Sequence, residues 1–244
     1  MTASVPPPAS ASVSYLLATA AQLFRASLLK CLPMGMVAVL CAQLPNIYWM
    51  ATGRTLSFTA EYDANYDALA VLGIAIELWL LCAMMLRQRA VALGAPILAG
   101  AELRAASHRL PVILLSVLLA VLSVLAGLLL LILPGLFLMV CCAVLLPVVL
   151  FDGLAPYAAL LRSVHLIRPI WWKALASFVI AFLMFFIGAF VLAAIIGVIA
   201  ELLGGNEAAL AAIETACTVG YGALFLVFLG ALMLVLHSAA SSSA

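Results

Sequence analysis

The sequence predicts an all-α polytopic membrane protein: six transmembrane helices arranged as three hairpins, each hairpin preceded by an amphipathic helix at the membrane surface. Three observations carry this. Of 244 residues, 69% are hydrophobic and only 8% are charged, whereas a soluble domain holds about 25% charged residues. The apolar residues fall in runs near the roughly 20 residues that a helix needs to cross a bilayer. The basic residues sit almost entirely between alternate runs.

The runs are taken in order. Residues 32–50 form the first predicted span, and 68–86 the second, interrupted by Glu77. An uncharged stretch, 110–151, is too long for one span. Pro134-Gly135 is a strong turn signal and divides it into 110–133 and 136–151. The fifth span covers 172–200. The sixth ends near His237 and begins between residues 208 and 215. One membrane domain over 14–237 is therefore expected, with disordered tails at 1–13, rich in Pro, Ser and Ala, and at 238–244. The N-terminus lacks the basic, apolar and small-residue order of a cleavable signal peptide.

Charge sets the direction. With the N-terminus in the cytoplasm, Arg25, Lys30, Arg87, Arg89, Arg104, Arg109, Arg162, Arg168 and Lys173 lie inside and only Arg54 lies outside. The positive-inside rule selects this arrangement, with both termini cytoplasmic. Glu61, Asp63, Asp67, Glu201, Glu207 and Glu214 fall on the outer side, which is consistent with it.

Residues 14–33, 96–111 and 155–172 each mix apolar positions at helical spacing with an Arg, a Ser, a second basic residue and a proline. Such segments lie in the headgroup layer, where Arg and Lys reach phosphates while Leu and Phe sink toward the acyl chains. Arg25, Lys30, Arg104, Arg109, Arg162, Arg168 and Lys173 are the expected contacts to anionic headgroups. Trp171-Trp172 sits where an aromatic belt is expected.

The stretch 133–175 resembles the core of the YciC-like group, related to the membrane domain of glycerophosphoryl diester phosphodiesterases. The resemblance rests on Leu133-Pro134-Gly135, Pro147-Val148-Val149, Asp152-Gly153, Arg162-Ser163 and Trp171-Trp172, with Phe24-Arg25 fitting the amphipathic start. It implies a helical protein of the bacterial inner membrane and carries over no catalytic residue.

Two other features compete for function. Glu77 lies near mid-span, and residue counting puts Gln43, Ser123 and Thr218 at comparable depth. Together they form a candidate intramembrane polar cluster that is either a proton or cation site or a packing bond. Thr218 to Gly222 reads TVGYG, like a potassium-channel filter. An extended filter there would leave only 223–237 for the last helix, about 22 Å against a core of roughly 30 Å. The competing reading is a continuous sixth helix whose Gly220 and Gly222 permit close packing. Ala189, Ala193 and Gly197 form a small face suited to tight packing, on another span or another subunit.

Catalysis finds no support. His108, His165 and His237 have no metal-ligand spacing, the six cysteines form no CxxC pair, and no HExxH or GxSxG occurs. The expectation is a non-enzymatic protein with no cofactor and no nucleic-acid partner. Its partners would be membrane lipids, anionic headgroups above all, with a second copy of the chain or another membrane protein as further partners, and its role lipid-interacting or membrane-organising. The alternatives are a small-solute or proton-coupled transporter using Glu77, and a pore using Thr218 to Gly222.

Overall fold

A computed structural model describes residues 11–52, 63–96, 100–202 and 207–242. Among these residues there is no strand, and six helices are long and apolar enough to cross a membrane. The predicted tail up to residue 10, and Arg54 and Glu61 on the predicted outer side, lie outside the described residues.

Helix α1 (Val13–Ala42) starts at Ser12, whose hydroxyl accepts from the Tyr15 amide, as an N-cap should. It breaks at Gln43, and α2 (Leu44–Ala51) follows. Pro45 explains the break, because it cannot donate back into the preceding helix and fits best in a first turn. Helix α3 (Ala64–Leu93) is capped by the Asp63 carboxylate and ends at Gly94, whose φ of 63° closes the helix as only glycine does readily. Helix α4 (Ala101–Leu130) is joined through the single extended residue Leu131 to α5 (Ile132–Cys141). That chain continues as a 3₁₀ turn (Cys142–Val144), the one-turn α6 (Leu145–Pro147) and a π turn (Val148–Asp152). Helix α7 (Pro156–Ile167) leads through a second 3₁₀ turn (Arg168–Ile170) to α8 (Trp171–Leu202), and α9 (Glu207–Ser241) closes the chain.

Four expectations are corrected. The turn between the third and fourth spans is at Leu131, three residues before Pro134-Gly135. Pro134 belongs to the first turn of α5, where its missing N–H costs nothing. Gly135 serves close approach instead, since a Cβ there would collide with Leu128 and one at Gly127 would come within 2.9 Å of the Gly135 Cα. Second, residues 14–33 and 101–111 are not separate surface helices but the first turns of α1 and α4, which run unbroken through Pro33 and Pro111. One proline removes one amide donor, about 3 kcal/mol in a helix interior, and the packed faces on both sides outweigh it. Only the third amphipathic segment is set apart, by Gly153 at φ 66° and the Arg168–Ile170 turn. Third, the tails are shorter than expected, because Ser12 caps α1 and α9 continues to Ser241. Fourth, Thr218 to Gly222 is α-helical within α9, which removes the pore reading.

Helices α1, α3 and α9 form the centre, with α4, α5 and α7 packed on the α3 side. Close approaches set their levels. A Cβ at Gly35 would sit 3.2 Å from the Ala223 carbonyl, one at Gly73 2.7 Å from that of Cys41, and one at Gly222 3.1 Å from Val39. Of the two glycines in TVGYG, Gly222 is therefore the packing residue, while Gly220 faces open space. Helix α8 stands at the edge, with 6% of its most apolar stretch buried against 50% for α9.

Candidate functional site: a polar cleft inside the bundle

The helix ends carrying the basic residues meet at one end of the bundle. Arg87 on α3 donates to the Lys30 carbonyl of α1 at 2.7 Å and pairs with Glu102 of α4 at 3.3 Å. Arg89 lies 4.2 Å above the Phe151 ring, and His237 on α9 stands 3.7 Å from Asp152. The Arg109 guanidinium lies against Gly153. Of the predicted headgroup contacts, Arg25, Lys30, Arg104 and Arg168 are exposed, and Arg109, Arg162 and Lys173 are half-buried. Trp171 turns inward and donates to the Phe137 carbonyl, while Trp172 stays exposed.

The other half of the bundle holds a cavity of about 750 Å³ between α8 on one side and α1, α3 and α9 on the other. It forms because α8 presents small residues where a packed helix would present large ones. Ala189, Ala193 and Gly197, predicted as a tight packing face, line this cavity, and a Cβ at Gly197 would meet nothing within 4 Å. The close contact of α8 lies elsewhere. The Tyr221 hydroxyl of α9 donates to the Phe185 carbonyl at 2.8 Å, directly over Gly188, where a Cβ would overlap it. The Tyr221 and Phe185 rings stack at 5.1 Å, and Phe185 meets Phe225 at 4.1 Å.

Three of the four predicted cluster residues face this cavity: Gln43, Glu77 and Thr218. Gln43 comes from the break between α1 and α2, where its side-chain oxygen accepts from Asn46 at 2.7 Å. Glu77 makes no hydrogen bond or ion pair with another described residue. Ser123 is not part of the group. Its hydroxyl returns to the Leu119 carbonyl of its own helix at 2.7 Å, a local bond that satisfies it without any neighbour. Depth counting said nothing of which face it occupies.

The cavity adds two residues that the sequence reading left aside. Glu214 and Tyr221 follow the same face of α9 as Thr218, at one-turn steps. The i, i+4 and i+7 spacing of Glu214, Thr218 and Tyr221 was the available signal, masked by the filter-like reading of the same residues. Gln88 was also missed. It lies three turns beyond Glu77 on nearly the same face of α3, fully buried, with its side-chain oxygen unpaired. Between them, Met84 and Met85 are fully buried. Among the described residues no group of His, Cys, Asp or Glu is placed to hold a metal ion.

Comparison of the chain with protein-family models, with curated proteins and with solved structures gives no match.

Proposed function

We propose that this chain is a non-enzymatic small-solute carrier of the membrane, with the cleft beside α8 as its binding site and Glu77 as the group that links solute entry to protonation. One observation carries the reading: Gln43 from the α1–α2 break, Glu77 from α3, and Glu214, Thr218 and Tyr221 from α9 converge on one cavity whose remaining walls are apolar. An uncompensated carboxylate in a bilayer costs about 2.5–3.5 kcal/mol on insertion scales. Glu77 has no partner among the described residues; in this reading a proton or a group of the solute neutralises it, and the two compete for the same carboxylate. Among the described residues, the other titratable side chains lining the cavity are Glu214 and Tyr221.

The test uses the full chain in proteoliposomes on a solid-supported membrane, with charge movement recorded after a pH jump. Wild type and Glu77→Asp should give a signal that Glu77→Gln lacks, with all three eluting alike on gel filtration. Equal signals from wild type and Glu77→Gln would overturn the reading.

A second reading has its own support. The exposed Arg25, Lys30, Arg104 and Arg168 gather where the bundle presents its basic end, and each such residue contributes about 1 kcal/mol of attraction to an anionic leaflet. We read this end as the cytoplasmic face, binding anionic headgroups of a bacterial inner membrane with both termini inside. Native mass spectra should retain anionic lipid on wild type and lose it when the four are changed to Gln. Kinship with the YciC-like group is part of this proposal, resting on the motif at 133–175, which here builds the packed unit from α5 to the start of α8.

A further inference from the structure

We propose that the cleft takes a lipophilic organic cation, a positive centre carried on an apolar body of ring size. This rests on the carrier reading of the same cleft and names its cargo.

The sign of charge comes first. Among the described residues, the carboxyl groups lining the cavity are Glu77 and Glu214, and no Lys, Arg or His lines it. Neither carboxylate is paired with another described residue. A cation entering here meets uncompensated negative charge, whereas an anion would meet repulsion with no donor of opposite charge to offset it.

The two carboxylates stand at different levels. Gly73 is level with Cys41 and Ala42, and Gly222 is level with Val39. Glu77, one turn past Gly73, is thus near the level of Gly222, while Glu214 lies two turns higher on α9, about 12 Å away along the axis. Thr218 and Gln43 occupy the level between them. A positive centre can pass from Glu214 to Glu77 with polar groups beside it throughout.

The walls select the body. Phe182, Phe185, Phe225 and Tyr221 crowd one part of the cleft, with ring centroids 4.1–5.3 Å apart between α8 and α9. Aromatic faces attract cations, most strongly where water is excluded. Further along the same helix, Ala189, Ala193 and Gly197 leave room that larger side chains would fill. A volume of about 750 Å³ suits a drug-sized molecule and is far larger than a bare metal ion needs. Because α8 is the least embedded helix, the seam beside it faces lipid, where a lipophilic cation accumulates.

The experiment titrates the purified full chain with tetraphenylphosphonium and, in parallel, with tetraphenylborate, which has the same shape and the opposite charge. Wild type should bind the cation saturably and not the anion. Glu77→Gln, and Ala193→Trp, which fills the cleft from the exposed face of α8, should each weaken binding about tenfold or more. Binding of both ions alike, no binding of the cation, or cation binding indifferent to both substitutions would overturn the proposal. If Glu77-dependent charge movement persists in any of these outcomes, the carrier reading stands and only the cargo class is wrong. If that movement is absent too, both fall.

Discussion

Gln88 of α3 donates its side-chain amide to the Val227 carbonyl of α9 at 2.7 Å, in the fully buried centre of the bundle. The bond ties two spans distant in sequence, and the side-chain oxygen beside it has no partner. Interhelical hydrogen bonds in membranes contribute about 0.6 kcal/mol on average. Gln88→Met removes one bond and one unsatisfied acceptor together, so its midpoint in thermal unfolding should fall by only a few degrees. Gln88→Ala removes the packing as well and should cost about 2 kcal/mol more.

Gly73 is the tightest approach between α1 and α3 that backbone alone defines. A Cβ there would stand 2.7 Å from the Cys41 carbonyl oxygen and 3.4 Å from the Ala42 Cα. Backbone cannot swing aside as a side chain does, so Gly73→Ala should destabilise by about 1–3 kcal/mol. Gly197→Ala, with nothing within 4 Å, is the matched control and should leave the midpoint unchanged or slightly raised. Scanning fluorimetry in one detergent compares the two.

Arg87 and Glu102 are shielded, with side chains 17% and 9% exposed, and Arg87 also serves the Lys30 carbonyl. Arg87→Ala should cost about 3 kcal/mol, because it strands a buried carboxylate. The double variant with Glu102→Ala should be less damaged than the sum of the single changes. A thermodynamic cycle that proves additive would show the pair to be uncoupled.

Tyr221 holds α8 through the Phe185 carbonyl. Tyr221→Phe keeps the stacked rings and removes only the hydroxyl. Hydrogen exchange should quicken in α8 around residues 181–190 while α1, α3 and α9 keep their protection. Uniform loss across all helices would mean that α8 and the centre open as one.

The hairpin tip at Leu131 is entirely apolar: Leu129, Leu130, Leu131, Ile132 and Leu133 are 67–87% exposed. Residues of that kind are retained in hydrocarbon, not in water. Leu131→Cys should resist a membrane-impermeant maleimide from both sides, whereas Thr52→Cys at the end of α2 should react from one side. Labelling at residue 131 would place the tip in water.

The spans were legible because lipid imposes a simple length rule on apolar runs, and Glu77, Gln43 and Thr218 were legible because depth follows from counting. What counting cannot supply is azimuth. Ser123, counted to the same depth, does not line the cavity, and the Ala189–Gly197 stripe looked like a contact and lines a cavity. Pro134-Gly135 misled for a related reason: the same pair suits a turn or the first turn of a helix, and only the neighbouring Gly127 and Leu128 decide between them. Glu214 fell on the outer side of the predicted topology and so was not weighed as part of a site.

The sparse seating of α8 reaches beyond the cleft. A helix that borrows most of its neighbours from the bilayer is solvated by whatever amphiphile surrounds it, so the cohesion of this protein is shared between chain and annulus. Exchanging lipid for detergent changes α8's partners, as a substitution would in a soluble protein, while α1, α3 and α9 keep theirs.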